Sequence, residues 1–178
     1  MAIHPGAGNA IKRWMPERFA TVAAGIAKRT GARVVVLSGP GEEALGAPML
    51  RALPAGKKLD LRGKLDLPQM AALLERAKLF IGNDGGPAHV AAAAGTPSLI
   101  VFSGTSVAAE WAPRGARVLI VRMRLDSDCL SSSSPITICR YHNRRTSTRN
   151  NAATSPMRAL SRVVCSFRYS VWRSIVGF

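Results

Sequence analysis

Four short clusters in this sequence combine glycine with residues that bind anions or sugar hydroxyls, and each follows an apolar run. The first is His4-Pro5-Gly6-Ala7-Gly8, and Lys12 lies just beyond it. Glycine lets backbone N–H groups approach an anion, and a lysine at the start of the next helix adds a full charge to that helix's partial positive end. The cluster predicts a phosphate site, with a flexible turn and a solvated cation as the alternative.

A second cluster, NDGGPAH at residues 83–89, leads into an alanine-rich helix. Gly85, Gly86 and Pro87 at the first helical turn leave backbone N–H groups pointing beyond the helix, which predicts an anion site. Asp84 either caps the turn or accepts hydroxyls from a sugar. His89 either donates to a phosphate oxygen or is a half-buried histidine that is hydrogen-bonded locally.

A third cluster, SGPGEE at residues 38–43, allows two interpretations. Gly39, Gly41 and Ala44 satisfy the G-x-G-x-x-G/A dinucleotide fingerprint, and Asp60 lies where the ribose acid belongs, which favours a dinucleotide-dependent oxidoreductase. The fingerprint follows the second predicted strand, however, and not the first. Alternatively, Glu42 accepts both hydroxyls of a ribose, or it only stabilises a helix N-terminus.

The fourth cluster, SGTS at residues 103–106, places hydroxyl groups and a glycine after another apolar run. Trp111 follows it, and could pack beside a ligand or cover the core. These hydroxyls predict further polar contacts to the same ligand.

Elements that bring the four clusters together can be read from alternating strand and helix patterns. Helices are expected from Pro16 to the residue before Gly31, from about Asp66, and from about Pro87. The predicted strands span residues 2–4, 33–38, 58–61, 79–82, 98–102 and 117–122. This order predicts an α/β fold, a single Rossmann-like domain with a parallel sheet over residues 1–122, which binds its ligand at the carboxyl ends of the strands.

The charge distribution separates this domain from the rest of the chain. All ten acidic residues and 17 of the 25 basic residues lie in residues 1–128, which therefore carry 17 − 10 = +7 of the net +15. Residues 123–178 are predicted to be a basic Ser/Arg-rich tail, disordered or translated in a shifted frame. Apolar residues between Leu160 and Phe178 recur at helical spacing, so an amphipathic helix on an anionic membrane is an alternative.

Composition excludes several classes of protein. No apolar run approaches the roughly 20 residues that a membrane-spanning helix needs, and the N-terminus lacks a signal-peptide pattern, so the expected location is the cytoplasm. Cys129, Cys139 and Cys165 fit neither a metal motif nor a disulfide framework. A rival hypothesis is a non-catalytic basic protein whose Arg-rich tail binds nucleic acid or an anionic membrane.

Taken in order, the clusters resemble the C-terminal half of the lipopolysaccharide heptosyltransferases, the ADP-heptose family of GT-B glycosyltransferases (glycosyltransferase family 9). The matching pieces are HPGA at residues 4–7, KRW at 12–14 with PERFA at 16–20, GPGEE at 39–43 and GNDGGPAHVAAAAGTP at 82–97. The resemblance covers residues 2–122. Four pieces in the correct order are more specific than any one of them.

The resemblance implies that this half grips ADP-heptose or a related nucleotide sugar, with no metal or other cofactor. Lys12 would neutralise the diphosphate, and Glu42 would hold the ribose hydroxyls. The implied reaction is inverting transfer of a heptose to a lipopolysaccharide core acceptor. The donor-binding residues that it implies are Lys12, Glu42, Asp84, Gly85, Gly86, His89 and Thr105.

The resemblance also implies a preceding Rossmann-like domain that carries the acceptor site and the general base. Met1 stands one residue before the first predicted strand, so we expect this chain to hold only the donor-binding half, with no catalytic residue of its own. We therefore expect it to be inactive unless a separate chain supplies the N-terminal domain. A peripheral position at the inner face of the inner membrane is also expected.

Overall fold

The computed structural model describes residues 1–103, 105–123 and 136–137, and its centre is a sheet of six parallel strands. A seventh strand pairs antiparallel with the sixth. The strands lie in the order β3-β2-β1-β4-β5-β6-β7. They are β1 (Ala2–His4), β2 (Val34–Ser38), β3 (Lys58–Arg62), β4 (Phe80–Asn83), β5 (Ser98–Phe102), β6 (Val118–Met123) and β7 (Ile136–Thr137). The predicted parallel α/β sheet is confirmed, and strand bounds differ from the prediction by at most one residue.

The order of the parallel strands creates a topological switch point between β1 and β4. From β1 the chain moves outward through β2 to β3, then returns to the middle and moves the other way through β4, β5 and β6. Loops that leave the carboxyl ends of β1 and β4 therefore diverge, and open sheets of this kind bind ligands in the crevice between such loops.

In the described part of the chain, five α-helices connect the strands. They are α1 (Pro16–Thr30), α2 (Ala47–Ala52), α3 (Leu67–Arg76), α4 (Gly86–Ala93) and α5 (Ala108–Trp111). Helix α1 begins at a proline and ends at Gly31, whose φ of 70° is the left-handed conformation that glycine adopts without strain. Asp66 and Gln69 form a capping box at the start of α3. The predicted starts of α1 and α3 and the predicted end of α1 are therefore confirmed.

Alanines let α4 lie close to the middle of the sheet. Ala88 and Ala91 are fully buried and Ala92 is nearly so. They face a core built from large side chains of the central strands, including Phe80, Ile100, Phe102 and Ile120. Because the side chains of α4 are small, the helix N-terminus is held near the carboxyl end of β4, where the second cluster begins.

Several predictions concern residues outside the described part of the chain. The amphipathic helix between Leu160 and Phe178 and the three cysteines lie there, and so does the tail after residue 123, apart from β7. The domain boundary at residue 122 stays a prediction. Among the described residues, no helix has both the length and the apolar character needed to cross a bilayer.

Candidate functional site

A buried amide at the end of β4 fixes the loop that carries the first cluster. The Asn83 side chain donates from Nδ2 to the Pro5 carbonyl over 2.7 Å, and its Oδ1 accepts the backbone N–H of Trp14 at 3.0 Å. Asn83 is only 3% exposed. Both ends of the loop between β1 and α1 are thereby pinned to β4, across the switch point of the sheet.

Lys12 and Asp84 meet at the crevice. Lys12 Nζ lies 3.0 Å from Asp84 Oδ2, and the lysine side chain is 31% exposed, whereas that of Asp84 is 4% exposed. Lys12 ends a short 3₁₀ turn (Ala10–Lys12). The prediction that it lies at the start of α1 is therefore wrong. Helix α4 has Gly85 as its N-cap and no side-chain cap, so the interpretation of Asp84 as a helix cap is wrong.

Glu42 is held on the opposite side of the first loop. Its Oε1 accepts the backbone N–H of Ala7 at 3.1 Å and a hydrogen bond from Arg13 Nη2 at 2.9 Å. The carboxylate lies so close to the backbone that a Cβ added at Gly6 would be 2.0 Å from Oε2, and one added at Gly39 would be 3.3 Å away. The Glu42 carboxylate thus occupies the space that a side chain at position 6 would take.

The N-terminus of α4 borders the same crevice. Gly85 is extended and Gly86 is exposed, and nothing lies within 4 Å of a Cβ added at Gly86. Pro87 has no N–H, and the N–H of Ala88 donates to the Gly85 carbonyl over 3.0 Å. With no side-chain cap, the N–H groups of Gly85 and Gly86, which have no described acceptor, are left for a ligand. His89 is exposed and no described group hydrogen-bonds to its side chain, so the alternative of a half-buried, locally bonded histidine is wrong.

The fourth cluster contributes hydroxyl groups and an exposed indole. The hydroxyls of Ser103 and Thr105 lie 2.8 Å apart, with Ser103 buried and Thr105 exposed. Trp111 is 58% exposed, so it does not cover the core, and Lys12 Nζ lies 6.0 Å from the centre of its ring. Trp111 therefore belongs to the same edge as Lys12. Gly104 lies outside the described residues.

His4 ends β1 beneath this edge and is 5% exposed. Burial lowers the pKa of its imidazole, because desolvation disfavours the charged form, and this outweighs the nearby Glu42 charge, which raises the pKa. His4 is thus a neutral support for the first loop. The positive charges of this loop are those of Lys12 and Arg13.

The geometry does not support the dinucleotide fingerprint. Ala44 is exposed in a 3₁₀ turn (Glu43–Gly46), whereas the last small residue of the fingerprint must pack a helix against its strand. Asp60 pairs with Arg62, with Oδ1 at 2.8 Å from Nε, and this hydrogen bond lowers the pKa of Asp60 to about 2. A residue committed to this pair is a poor candidate for a ribose acceptor.

Two residues of the site were not assigned a role from the sequence. Asn83 ends a fully buried strand, and a buried amide requires partners, which was an available signal. Arg13 directly follows Lys12 and could have been paired with Glu42, because the loops after neighbouring parallel strands meet at one edge. The partner itself could not be chosen from spacing, since 29 residues separate the two.

Comparisons with known proteins identify the family. The model of glycosyltransferase family 9 (heptosyltransferase) matches residues 1–138, which runs past the resemblance noted in the sequence. Lipopolysaccharide heptosyltransferase 3 of Escherichia coli is 35% identical over 107 residues, covering 59% of this chain and 31% of the relative. This chain therefore spans about a third of the length of that relative.

Solved structures have a similar fold. The ADP-heptose lipopolysaccharide heptosyltransferase II of E. coli aligns with a TM-score of 0.63 at 25% identity, covering 70% of this chain and 38% of that one. E. coli heptosyltransferase WaaC, solved with ADP-2-deoxy-2-fluoro heptose, aligns with a TM-score of 0.56 at 25% identity over 69% of this chain and 36% of that one. The described domain thus matches one part of larger proteins.

Gly6→Ala is expected to displace the Glu42 carboxylate. The new methyl group would overlap Oε2, and the flexible side chain can swing away, so the fold persists while the two hydrogen bonds to Oε1 are lost. We expect the free energy of unfolding to fall by about 1 to 3 kcal/mol. Urea unfolding followed by circular dichroism measures the change.

Gly8→Ala is the matched control, because nothing lies within 4 Å of a Cβ added there. It should leave the free energy of unfolding unchanged or slightly raised. In a Glu42→Ala background, Gly6→Ala should cost nothing further. An equal loss with and without Glu42 would contradict the proposed overlap.

Proposed function

This chain belongs to glycosyltransferase family 9, and we propose that the edge formed by Lys12, Glu42 and Asp84 binds the nucleotide-sugar donor of a heptosyl transfer. The observation that carries the proposal is the convergence of these side chains at the carboxyl ends of β1, β2 and β4, beside the uncapped N-terminus of α4. Two similar proteins support an ADP-sugar as the ligand: one is named an ADP-heptose heptosyltransferase, and the other was solved with an ADP-heptose analogue.

The diphosphate is assigned to Lys12 and the first N–H groups of α4. Lys12 is partly exposed and lies next to the helix end, so one phosphate oxygen can meet both a full and a partial positive charge. His89, exposed on the first turns of α4, is a further donor to the phosphates. Glu42 accepts ribose hydroxyls, and Asp84 and Thr105 accept hydroxyls of the sugar.

The arrangement suits the electrostatics of glycosyl transfer. When the bond between the sugar and ADP breaks, negative charge grows on the departing diphosphate. Groups that meet this charge stabilise the transition state more than the ground state, and they lower the barrier for that reason. Lys12, the N–H groups of α4 and His89 fill this role, without a metal or other cofactor.

The acceptor is proposed to be a lipopolysaccharide core, because a similar protein of Haemophilus influenzae is named a lipopolysaccharide core heptosyltransferase. Deprotonation of the acceptor hydroxyl needs a carboxylate or another base. At this edge, Asp84 is bound to Lys12 and Glu42 to Arg13, so we assign neither as the base. We propose that the base and the acceptor site lie outside the described residues, on another domain or a separate chain, and that the reaction takes place in the cytoplasm at the inner membrane.

Lys12→Ala is expected to weaken ADP binding by about 10- to 100-fold, since a charge-assisted contact to a phosphate contributes about 1.5 to 3 kcal/mol. Isothermal titration calorimetry of the purified chain with ADP measures the affinity. Lys78→Ala is the matched control, because Lys78 is exposed and lies at the opposite edge of the sheet. Equal affinities for wild type and Lys12→Ala would remove the diphosphate assignment.

Asp84→Asn is expected to act in the opposite direction on ADP. The substitution removes a buried negative charge beside the phosphates and frees Lys12, so ADP should bind about 3- to 10-fold more tightly. Affinity for ADP-heptose should rise less than affinity for ADP, because the sugar loses a hydroxyl acceptor. Weaker ADP binding by this variant, with an unchanged circular dichroism spectrum, would contradict the arrangement.

The chain alone is expected to bind ADP-heptose but to transfer no sugar. Release of ADP and mass increase of a lipopolysaccharide core acceptor are both measured, with a complete heptosyltransferase assayed in parallel. Steady turnover by the purified chain would show that the general base lies within these 178 residues.

A further inference from the structure

We propose that Arg13 is a positioning residue that fixes the Glu42 carboxylate before a nucleotide arrives, leaving Oε2 as the oxygen that accepts the ribose hydroxyls. This inference rests on the proposed function, since it concerns the same donor site. Arg13 is assigned an indirect role, through Glu42, and not a contact to the phosphates.

Arg13, Ala7 and Glu42 form a closed ring of hydrogen bonds. Arg13 Nε donates to the Ala7 carbonyl over 2.9 Å, and Arg13 Nη2 donates to Glu42 Oε1 over 2.9 Å. The ring closes where the N–H of Ala7 donates to the same Oε1 over 3.1 Å. The guanidinium and the carboxylate are therefore both oriented by the backbone of one residue, Ala7, and neither can rotate without breaking two contacts.

The two oxygens of Glu42 are left in different states. Oε1 accepts two donors, whereas no described group donates to Oε2. Oε2 rests against the backbone of Gly6 and near Gly39, in space that only glycine leaves open. The Glu42 side chain is 17% exposed, so part of it reaches solvent. Oε2 is the oxygen without a described donor, and we therefore assign the ligand hydroxyls to it.

The chemistry of the ring calls for arginine. One side chain must reach a carbonyl and a carboxylate at once, through two N–H groups in a fixed planar fork. The ammonium of lysine has three N–H groups but a single nitrogen, so it lacks the two donor atoms that the planar fork holds in fixed positions, one for the carbonyl and one for the carboxylate. The charge alone is therefore insufficient, and Arg13→Lys should behave more like Arg13→Ala than like wild type.

The ring lowers the conformational-entropy cost of binding a ligand. A free glutamate side chain loses rotamer freedom when it accepts a ligand, at a cost of about 0.5 to 1.5 kcal/mol, and the ring removes that cost before binding. Arg13 also lies in the loop that carries Lys12, so the ribose acceptor and the diphosphate cation are set by the same segment.

The test is a double-mutant cycle of Arg13→Ala and Glu42→Ala, with ADP and 2′,3′-dideoxy-ADP as ligands in calorimetric titrations. We expect Arg13→Ala to weaken ADP binding about 3- to 10-fold, which corresponds to the ordering cost above. It should have no further effect in the Glu42→Ala background, and little effect on the dideoxy nucleotide. Arg33→Ala, an exposed arginine at the opposite edge of the sheet, is the matched control.

A direct phosphate contact predicts a different pattern. Arg13→Ala would then weaken both nucleotides equally, and the loss would persist without Glu42 and shrink at high salt. That result would overturn the positioning role. Full ADP affinity in Arg13→Lys would overturn the requirement for a fork, because the conservative variant retains only the charge.

A second measurement does not depend on the ligand. Urea unfolding of the four proteins of the cycle should show about a tenfold coupling between Arg13 and Glu42 in the unfolding equilibrium constant. If wild type binds no ADP, the proposed function is wrong, and this coupling still decides whether Arg13 holds Glu42. Additive effects on unfolding would overturn the inference in either case.

Discussion

The Asn83 amide is the interaction on which the site depends. It lies in a dry position at the end of β4 and satisfies one donor and one acceptor of the loop that follows β1. Each of those backbone groups would cost about 1 to 3 kcal/mol if it were buried without a partner. The donor is the backbone N–H of Trp14. The Trp14 ring packs edge-on against Phe19 of α1, with 4.9 Å between the ring centroids, so α1 also helps to fix this loop. Lys12 and Arg13 precede this anchored tryptophan directly, so their positions follow from it.

The charges of the edge are paired before any ligand is present. Lys12 with Asp84, and Arg13 with Glu42, give two cations and two anions within one loop system. Such a site does not attract a diphosphate through excess charge alone. Under the proposed function, Lys12 exchanges its carboxylate partner for a phosphate when the donor binds, and the N–H groups at the start of α4 supply further attraction. The choice among ligands then depends on which hydroxyl groups of the ligand can donate to the Asp84 and Glu42 carboxylates.

Much of the fold could be predicted from the sequence because its determinants are local. Apolar runs, the proline that starts α1, Gly31 and the Asp66 cap each act within a few residues, and the parallel sheet follows from their alternation. The meeting of Lys12, Glu42 and Asp84 at one edge followed from that topology. The identity of each partner did not, since Lys12 and Asp84 are 72 residues apart and their contact depends on how the first loop folds. The exposure of Trp111 could not be predicted for the same reason, since it too depends on how loops distant in the sequence fold.

The close approach of Glu42 to Gly6 links two positions that are distant in the sequence. A methyl group at position 6 and the Glu42 carboxylate in its present position compete for the same volume, so a side chain at position 6 would displace this carboxylate. Distant relatives should therefore tend to inherit the pair together. Under the proposed function, a homologue with a side chain at position 6 would hold the nucleoside by different means. Comparing these two positions across relatives would separate lineages that kept this arrangement from those that replaced it.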